Sequence, residues 1–104
     1  MSTADFSVIP IGGPSASASE YLAEIRRRLE RQDRVRFEMR GMGTSLEGTT
    51  EDILALVGEM HRVPLEMGLP RAYTILKLDE RRDRPDQTLA DKEQAVERRV
   101  AGQR

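Results

Sequence analysis

The segment from Val35 to Gly48 most limits what this chain can fold into. Val35, Phe37 and Met39 alternate with Arg36, Glu38 and Arg40. That is the period-two signature of a half-buried antiparallel strand. Gly41-Met42-Gly43 punctuates the run, and Thr44–Gly48 reads as a short strand returning beside it. On either side lie apolar residues at helical spacing: Leu22, Ile25 and Leu29 before, and Ile53, Leu54, Val57 and Met60 after. A strand pair held between two amphipathic helices needs further strands to pack on, and two candidates flank it.

Phe6–Ile11 is rich in β-branched and aromatic residues, and Pro10 suits a strand end. Arg71–Leu78 also alternates: Ala72, Thr74, Leu76 and Leu78 one way, Tyr73, Ile75 and Lys77 the other. The first helix spans about residues 18–32, with Ser17 and Glu20 spaced as a capping box. Thr49 and Asp52 repeat that spacing before the second helix, and Gly68 with Leu69-Pro70 stops it. Pro64 falls inside this helix, where proline costs about 3 kcal/mol. A kink is expected there, because Leu65 and Met67 need burial. Asp79–Pro85 is a charged surface segment, and residues 86–100 form a third helix with a thin stripe of Leu89, Ala95, Val96 and Val100.

The order is β-α-β-β-α-β plus a terminal helix. The fold class is α+β: a ferredoxin-like antiparallel sheet with its helices on one face. Residues 1–85 form the ferredoxin-like domain and 86–104 the C-terminal helix and tail. Phe6, Val8, Val35, Phe37, Met39, Leu46, Leu76 and Leu78 point under the helices. Ser7, Ile9, Ile11, Arg36, Glu38, Arg40, Ser45, Glu47, Tyr73, Ile75 and Lys77 face the other way. Ile9, Ile11, Tyr73 and Ile75 make the middle of that open face apolar, and contiguous apolar patches mark interfaces. A homo-oligomer is expected, with the third helix as a second docking surface.

Composition narrows the function. The chain has 104 residues, with 17 Lys+Arg against 18 Asp+Glu, no Cys and a single His. One compact domain is expected. Disulfides, thiol catalysis and Cys-ligated zinc are excluded. A net charge of −1 gives no chain-wide attraction to nucleic acid or anionic lipid. The aromatics Phe6, Tyr21, Phe37 and Tyr73 are too few for a base-stacking platform. No apolar run approaches the roughly 20 residues of a membrane span. Met1–Asp5 does not read as a signal peptide. A cytoplasmic protein with no nucleic-acid or membrane partner is expected.

Three stretches carry a resemblance to a known family. They are Phe6-Ser7-Val8-Ile9-Pro10-Ile11-Gly12, then Gly41-Met42-Gly43-Thr44-Ser45-Leu46-Glu47-Gly48, then Gly68-Leu69-Pro70-Arg71 with Leu76 to Pro85. In order and spacing they resemble the thiamine-binding, YkoF-like protein family over about residues 6–85. The resemblance implies a ferredoxin-like domain, dimers or tetramers, and binding of thiamine or its hydroxymethylpyrimidine moiety. Pro64 and the polar segment after Pro85 depart from the family pattern.

Glu47 is the residue singled out for a ligand. A carboxylate can satisfy an aminopyrimidine edge or sit beside a thiazolium cation, and Glu38 can share that role. The alternative is pairing of Glu47 with Arg36, Arg40 or Lys77 across the sheet. Ser7, Thr44 and Ser45 supply hydroxyls, and Tyr73 can stack on a heteroaromatic ring. Met42, Met60 and Met67 can serve as adaptable walls or as core filling. His61 resembles a His of the family's second helix; a His capped by solvent or an acid is the simpler reading. The loops Gly12–Ser17 and Gly48–Thr50 both enter helix N-termini. Taking strands one and three as parallel neighbours sets those termini side by side, as a corner for an anion such as a thiamine phosphate. Arg81, Arg82 and Arg84 are balanced by Asp79, Glu80 and Asp83, so they read as a salt-bridged turn.

The expected function is non-enzymatic binding of thiamine or hydroxymethylpyrimidine by an oligomer acting as carrier, buffer or sensor. No catalytic residue, required cofactor or metal is assigned. The alternative is a regulatory or assembly module that binds another small metabolite or none.

Overall fold

A computed structural model describes residues 1–12 and 18–102. The elements are β1 (Ser2–Ile11), α1 (Ala18–Glu30), β2 (Arg36–Arg40), β3 (Gly43–Gly48), α2 (Thr50–Glu66), β4 (Arg71–Glu80) and α3 (Leu89–Gly102). The order agrees with the α+β, ferredoxin-like expectation. The strands form one sheet in the order β2-β3-β1-β4, and every neighbouring pair is antiparallel.

Two boundaries shift for one reason. β1 starts at Ser2 rather than Phe6, and β4 runs to Glu80 rather than Leu78. Their extra residues pair with each other, Ser2 opposite Glu80 and Thr3 opposite Asp79. Ser2 and Thr3 also pair with Gly48 and Glu47 of β3. A central strand between two neighbours buries even small polar residues, so Ser2 and Thr3 are buried. Their composition alone reads as a tail.

The core lies between the sheet and the α1/α2 layer. Ala4, Phe6, Val8, Leu46 and Val35 meet Ile25, Leu29, Ile53, Val57, Met60 and Val63. Phe37, Met39 and Leu76 pack against this cluster while partly exposed. Leu78, expected under the helices, is 39% exposed on the edge strand β4, although its partner Ala4 on the neighbouring strand is buried. Arg28 on α1 binds Glu24 on its own helix and Glu66 on α2, at 3.1 and 2.6 Å, tying the two helices together.

Thr49 caps α2, its hydroxyl accepting from the Asp52 backbone N–H at 3.1 Å. The Ser17 capping box lies outside the described residues. Pro64 is fully buried, and α2 continues two residues past it. Leu65 and Met67 are exposed, so the burial argument for a kink is overturned. Their backbone closes the helix instead: Leu69 and Gly68 donate to the Pro64 and Leu65 carbonyls. Gly68 makes this turn at φ +91, a conformation natural to glycine.

α3 begins at Leu89, later than expected, because Thr88 and Asp91 form a reciprocal cap. It has no buried residue, which fits the thin stripe. Its first turns lie over one end of the open sheet face. Lys92 donates to Thr3 Oγ1 at 2.6 Å and to Asp79, and Glu93 is 3.5 Å from Arg40. Val96 and Val100 beyond them stay exposed.

Candidate functional site

The register sorts the open face into rows. Arg36, Glu47, Thr3 and Asp79 form the row beneath α3; Glu38, Ser45, Asp5 and Lys77 form the next. Ser7 then stands beside Ile75, Ile9 beside Tyr73, and Ile11 beside Arg71. Among the expected ligand residues, Ser7, Ser45, Glu47 and Tyr73 therefore share the open face. Thr44 does not. It pairs with Phe6 and Met39 on the helix-covered face and is buried.

Ser7 and Thr44 nevertheless meet at one cavity, because the sheet has a notch. β3 starts at Gly43, whereas β1 continues to Ile11 with β4 alone beside it. The vacant position next to the outer half of β1 opens to both faces. The resulting cavity, about 410 Å³, is walled by Tyr21, Leu22, Met39 and Met42, with Ile75 at its open-face side. The Ser7 hydroxyl donates to the Met42 carbonyl at 3.0 Å. Gly43 makes room for that reach: a Cβ there would lie 2.8 Å from Asp5 Oδ1 and 3.0 Å from Ser7 Oγ. Arg40 is the sole charged side chain on the cavity wall among the described residues.

Glu47 lies four residues along the face from Ser7, roughly 14 Å away at strand rise. It forms a different environment. Its side chain is 11% exposed, and Oε1 is 3.6 Å from Arg36 Nη1, too long for a hydrogen bond. Its Oε2 is buried with no protein partner. A small cavity of about 160 Å³ adjoins it, bounded by Arg36, Glu38, Leu89 and Glu93. Arg40 is instead engaged by Glu38 and Glu93, and Glu38 chiefly raises its pKa above the ordinary arginine value. A half-paired buried carboxylate is costly unless something completes it.

Ser45 sits between these places, on a third cavity with Thr3, Lys77 and Lys92. Tyr73 is exposed beside Ile9. Tyr21 and Met39 also wall the notch. Alternation places Met39 under the helices and Tyr21 lies outside the Leu22, Ile25 and Leu29 stripe, and nothing local shows that the sheet stops short beside them.

The anion corner is corrected. β1 and β3 are antiparallel, not parallel, so Gly48 enters α2 beside Ser2 while Gly12 lies at the far end of β1. The two helix entrances stand at opposite ends of the sheet, and residues 13–17 lie outside the described residues. His61 Nδ1 is 2.6 Å from Thr74 Oγ1, so a β4 hydroxyl rather than an acid caps it. Met60 is core, and Met67 is exposed. Arg81 pairs with Asp83, as a salt-bridged turn requires. Among the described residues no group of three or more His, Cys, Asp or Glu is placed to hold a metal. No helix there is long and apolar enough to cross a membrane.

Comparison with known proteins places the chain. A family profile described as thiamine-binding protein matches residues 4–97. The UPF0045 protein YqgV of Bacillus subtilis is 32% identical over 103 residues, covering 96% of this chain and 98% of the relative. A UPF0045 protein of Methanothermobacter thermautotrophicus is 40% identical over 101 residues, covering 96% and 100%. The crystal structure of a hypothetical protein from Methanocaldococcus jannaschii superposes with a TM-score of 0.79 at 34% identity, covering 91% of this chain and 94% of that one. A candidate thiamine biosynthesis/salvage protein of Thermotoga maritima shares the fold at TM-score 0.69 and 20% identity, covering 91% and 97%. With the match running from the fourth residue of the chain through the β2–β3 hairpin and the closing strand β4, this chain belongs to the thiamine-binding protein family.

Proposed function

We propose that this protein binds thiamine, or its hydroxymethylpyrimidine moiety, without chemical change, and does so as an oligomer. The notch at the sheet rim carries the reading. Its volume and its apolar walls with a few directed polar groups suit a small heteroaromatic ring. The hydroxyls of Ser7 and Thr44 and the Met42 carbonyl offer both donors and acceptors to an aminopyrimidine edge. Met39 and Met42 can adapt to the ring, and Tyr21 offers an aromatic surface. The wall carries Arg40 and no acid among the described residues, so the neutral pyrimidine end enters and the thiazolium cation stays outside. Calorimetry with thiamine, its phosphates and free hydroxymethylpyrimidine tests this. Heat is expected with the free pyrimidine and with thiamine, weakened in Ser7→Ala and Thr44→Val. No heat with any of them at high protein concentration sinks the reading.

The orphaned Glu47 oxygen favours a second placement of the same ligand, with the cation against that carboxylate. Loss of thiamine binding in Glu47→Gln, with pyrimidine binding intact in Ser7→Ala, would select it. Binding of another metabolite, or of none, by a regulatory or assembly module would show as a different co-purified mass, or no mass, in native mass spectrometry.

Surface area supports the oligomer. The isolated chain exposes 7264 Å². A compact monomer of 11.8 kDa exposes about 5,900 Å². The excess exceeds the roughly 800 Å² that each partner buries in a standard interface. The radius of gyration, 15.8 Å, is likewise above the ~13 Å of a compact domain this long. Exposed Ile9, Ile11, Tyr73 and Ile75 provide apolar surface to cover. Light scattering is expected to report a dimer or tetramer.

A further inference from the structure

We infer that Arg40 makes the notch a site for an anionic ligand: a heteroaromatic ring whose methylene substituent carries a phosphate ester. The inference rests on the notch reading above and names the chemical form that fits it best. In thiamine the methylene of the aminopyrimidine carries the thiazolium cation. In hydroxymethylpyrimidine it carries a neutral hydroxyl, and in the phosphate ester of that alcohol it carries about −1.5 to −2 charge at neutral pH. With the ring edge held by Ser7, Thr44 and the Met42 carbonyl, the methylene faces the mouth. The groups at the mouth then choose among cation, neutral alcohol and anion.

Those groups are donors. Arg40 stands on the cavity wall with Gly41 and Met42 next to it. Gly41 and Met42 form the β2–β3 turn, outside the ladder that pairs Arg40 with Gly43. Among the described residues, no backbone bond made outside the helices and strands uses their N–H groups, so both can donate to a ligand. The approach is open, since a Cβ at Gly41 would meet nothing within 4 Å. Asp5 lies beside Gly43 but off the wall, with Lys77 opposite it on β4.

Arg40 is held loosely enough to be recruited. Glu38 and Glu93 reach it at 3.0 and 3.5 Å, but neither lines the cavity and both are mostly exposed. Exposed ion pairs of this kind contribute little. Both contacts fall on Nη2, which leaves the Nε and Nη1 donors for a second anion. A phosphate at the mouth gains charge-assisted hydrogen bonds from this guanidinium and from the turn amides together. The thiazolium of thiamine meets the same cation and gains nothing from it.

Calorimetry with hydroxymethylpyrimidine, its phosphate ester, thiamine and inorganic phosphate tests this. The ester is expected to bind about tenfold more tightly than the alcohol, the size of one charge-assisted contact. Thiamine is expected to bind more weakly than either, and inorganic phosphate alone more weakly than the ester. Arg40→Ala is expected to remove the advantage of the ester over the alcohol, and Arg40→Lys to keep part of it as a point charge. Glu38→Gln removes a competitor for Arg40, so the ratio of ester to alcohol affinity is expected to rise. Equal affinity for ester and alcohol, or an equal loss of both in Arg40→Ala, overturns this assignment and leaves the notch reading standing. Inorganic phosphate binding as tightly as the ester also overturns it, because ring and phosphate would not share one seat. No binding of alcohol, ester or thiamine overturns both.

Discussion

The Ser7 hydroxyl reaches over the bare α-carbon of Gly43 to donate to the Met42 carbonyl at 3.0 Å. This contact joins β1 to the β2–β3 turn at the mouth of the notch. Residues of opposite sheet faces come together there because β3 has already ended.

Gly43→Ala should break that link. The added Cβ competes for the space of Ser7 Oγ and Asp5 Oδ1, and the Phe6 carbonyl stands 3.3 Å away. Losing one such hydrogen bond costs about 1 kcal/mol. Urea denaturation should show a loss of that size, and calorimetry should show a larger proportional loss of ligand binding. Unchanged binding would remove the turn from the site.

Glu47→Gln is expected to stabilise the free protein. The carboxylate loses water around Oε2 and recovers only a loose ion pair with Arg36. Neutralising a buried, incompletely paired charge gains on the order of 1 kcal/mol. Thermal denaturation without ligand should therefore shift upward. A downward shift would mean that the Arg36 pair outweighs the burial cost.

Acid should weaken the protein partly through Glu80 and Glu24. The Thr50 hydroxyl, with help from Ser2, holds the Glu80 carboxyl below the ordinary value of 4.5. Hydrogen bonds from Arg27 and then Arg28 do the same for Glu24. A carboxyl whose folded pKa is lowered stabilises fully above the unfolded value and loses this as pH falls through the folded one. Stability should thus be retained above pH 4.5 and decline below it, and Glu80→Gln should flatten the decline. A Glu80→Gln profile parallel to that of the parent would count against the assignment.

Lys92→Ala should loosen α3 without unfolding the domain. α3 buries no residue, and Lys92 fastens it to Thr3 and Asp79. Partly exposed ion pairs are worth up to about 1 kcal/mol. Hydrogen exchange should quicken over residues 89–102, with the midpoint of global unfolding little changed. Protection equal to the parent's would mean that Leu89 and Ala95, not the lysine, hold the helix.

The element order and the facing of most strand residues were legible in the sequence. Alternation along Val35–Arg40 and Arg71–Leu78, and helical spacing along Ile25–Leu29 and Ile53–Met60, are local patterns that burial must obey. They correctly separated Leu46 from Ser45 and Glu47, whereas Thr44, grouped with Ser7 and Ser45 as a ligand hydroxyl, is buried on the other face. Ser2 and Thr3 were not legible as strand, because their burial comes from two neighbouring strands rather than from their own polarity.

The site belongs to the tertiary structure. Strand direction decided that the two helix entrances stand apart, and strand length decided that Ser7 and Thr44 share a notch. The overlay of α3 decided that Glu47 is buried rather than open. The sequence by itself determined which side of the sheet each residue takes, since side-chain direction repeats within a strand. Only pairing between distant segments set where those sides begin, end and are covered, because register and stagger are properties of two strands together.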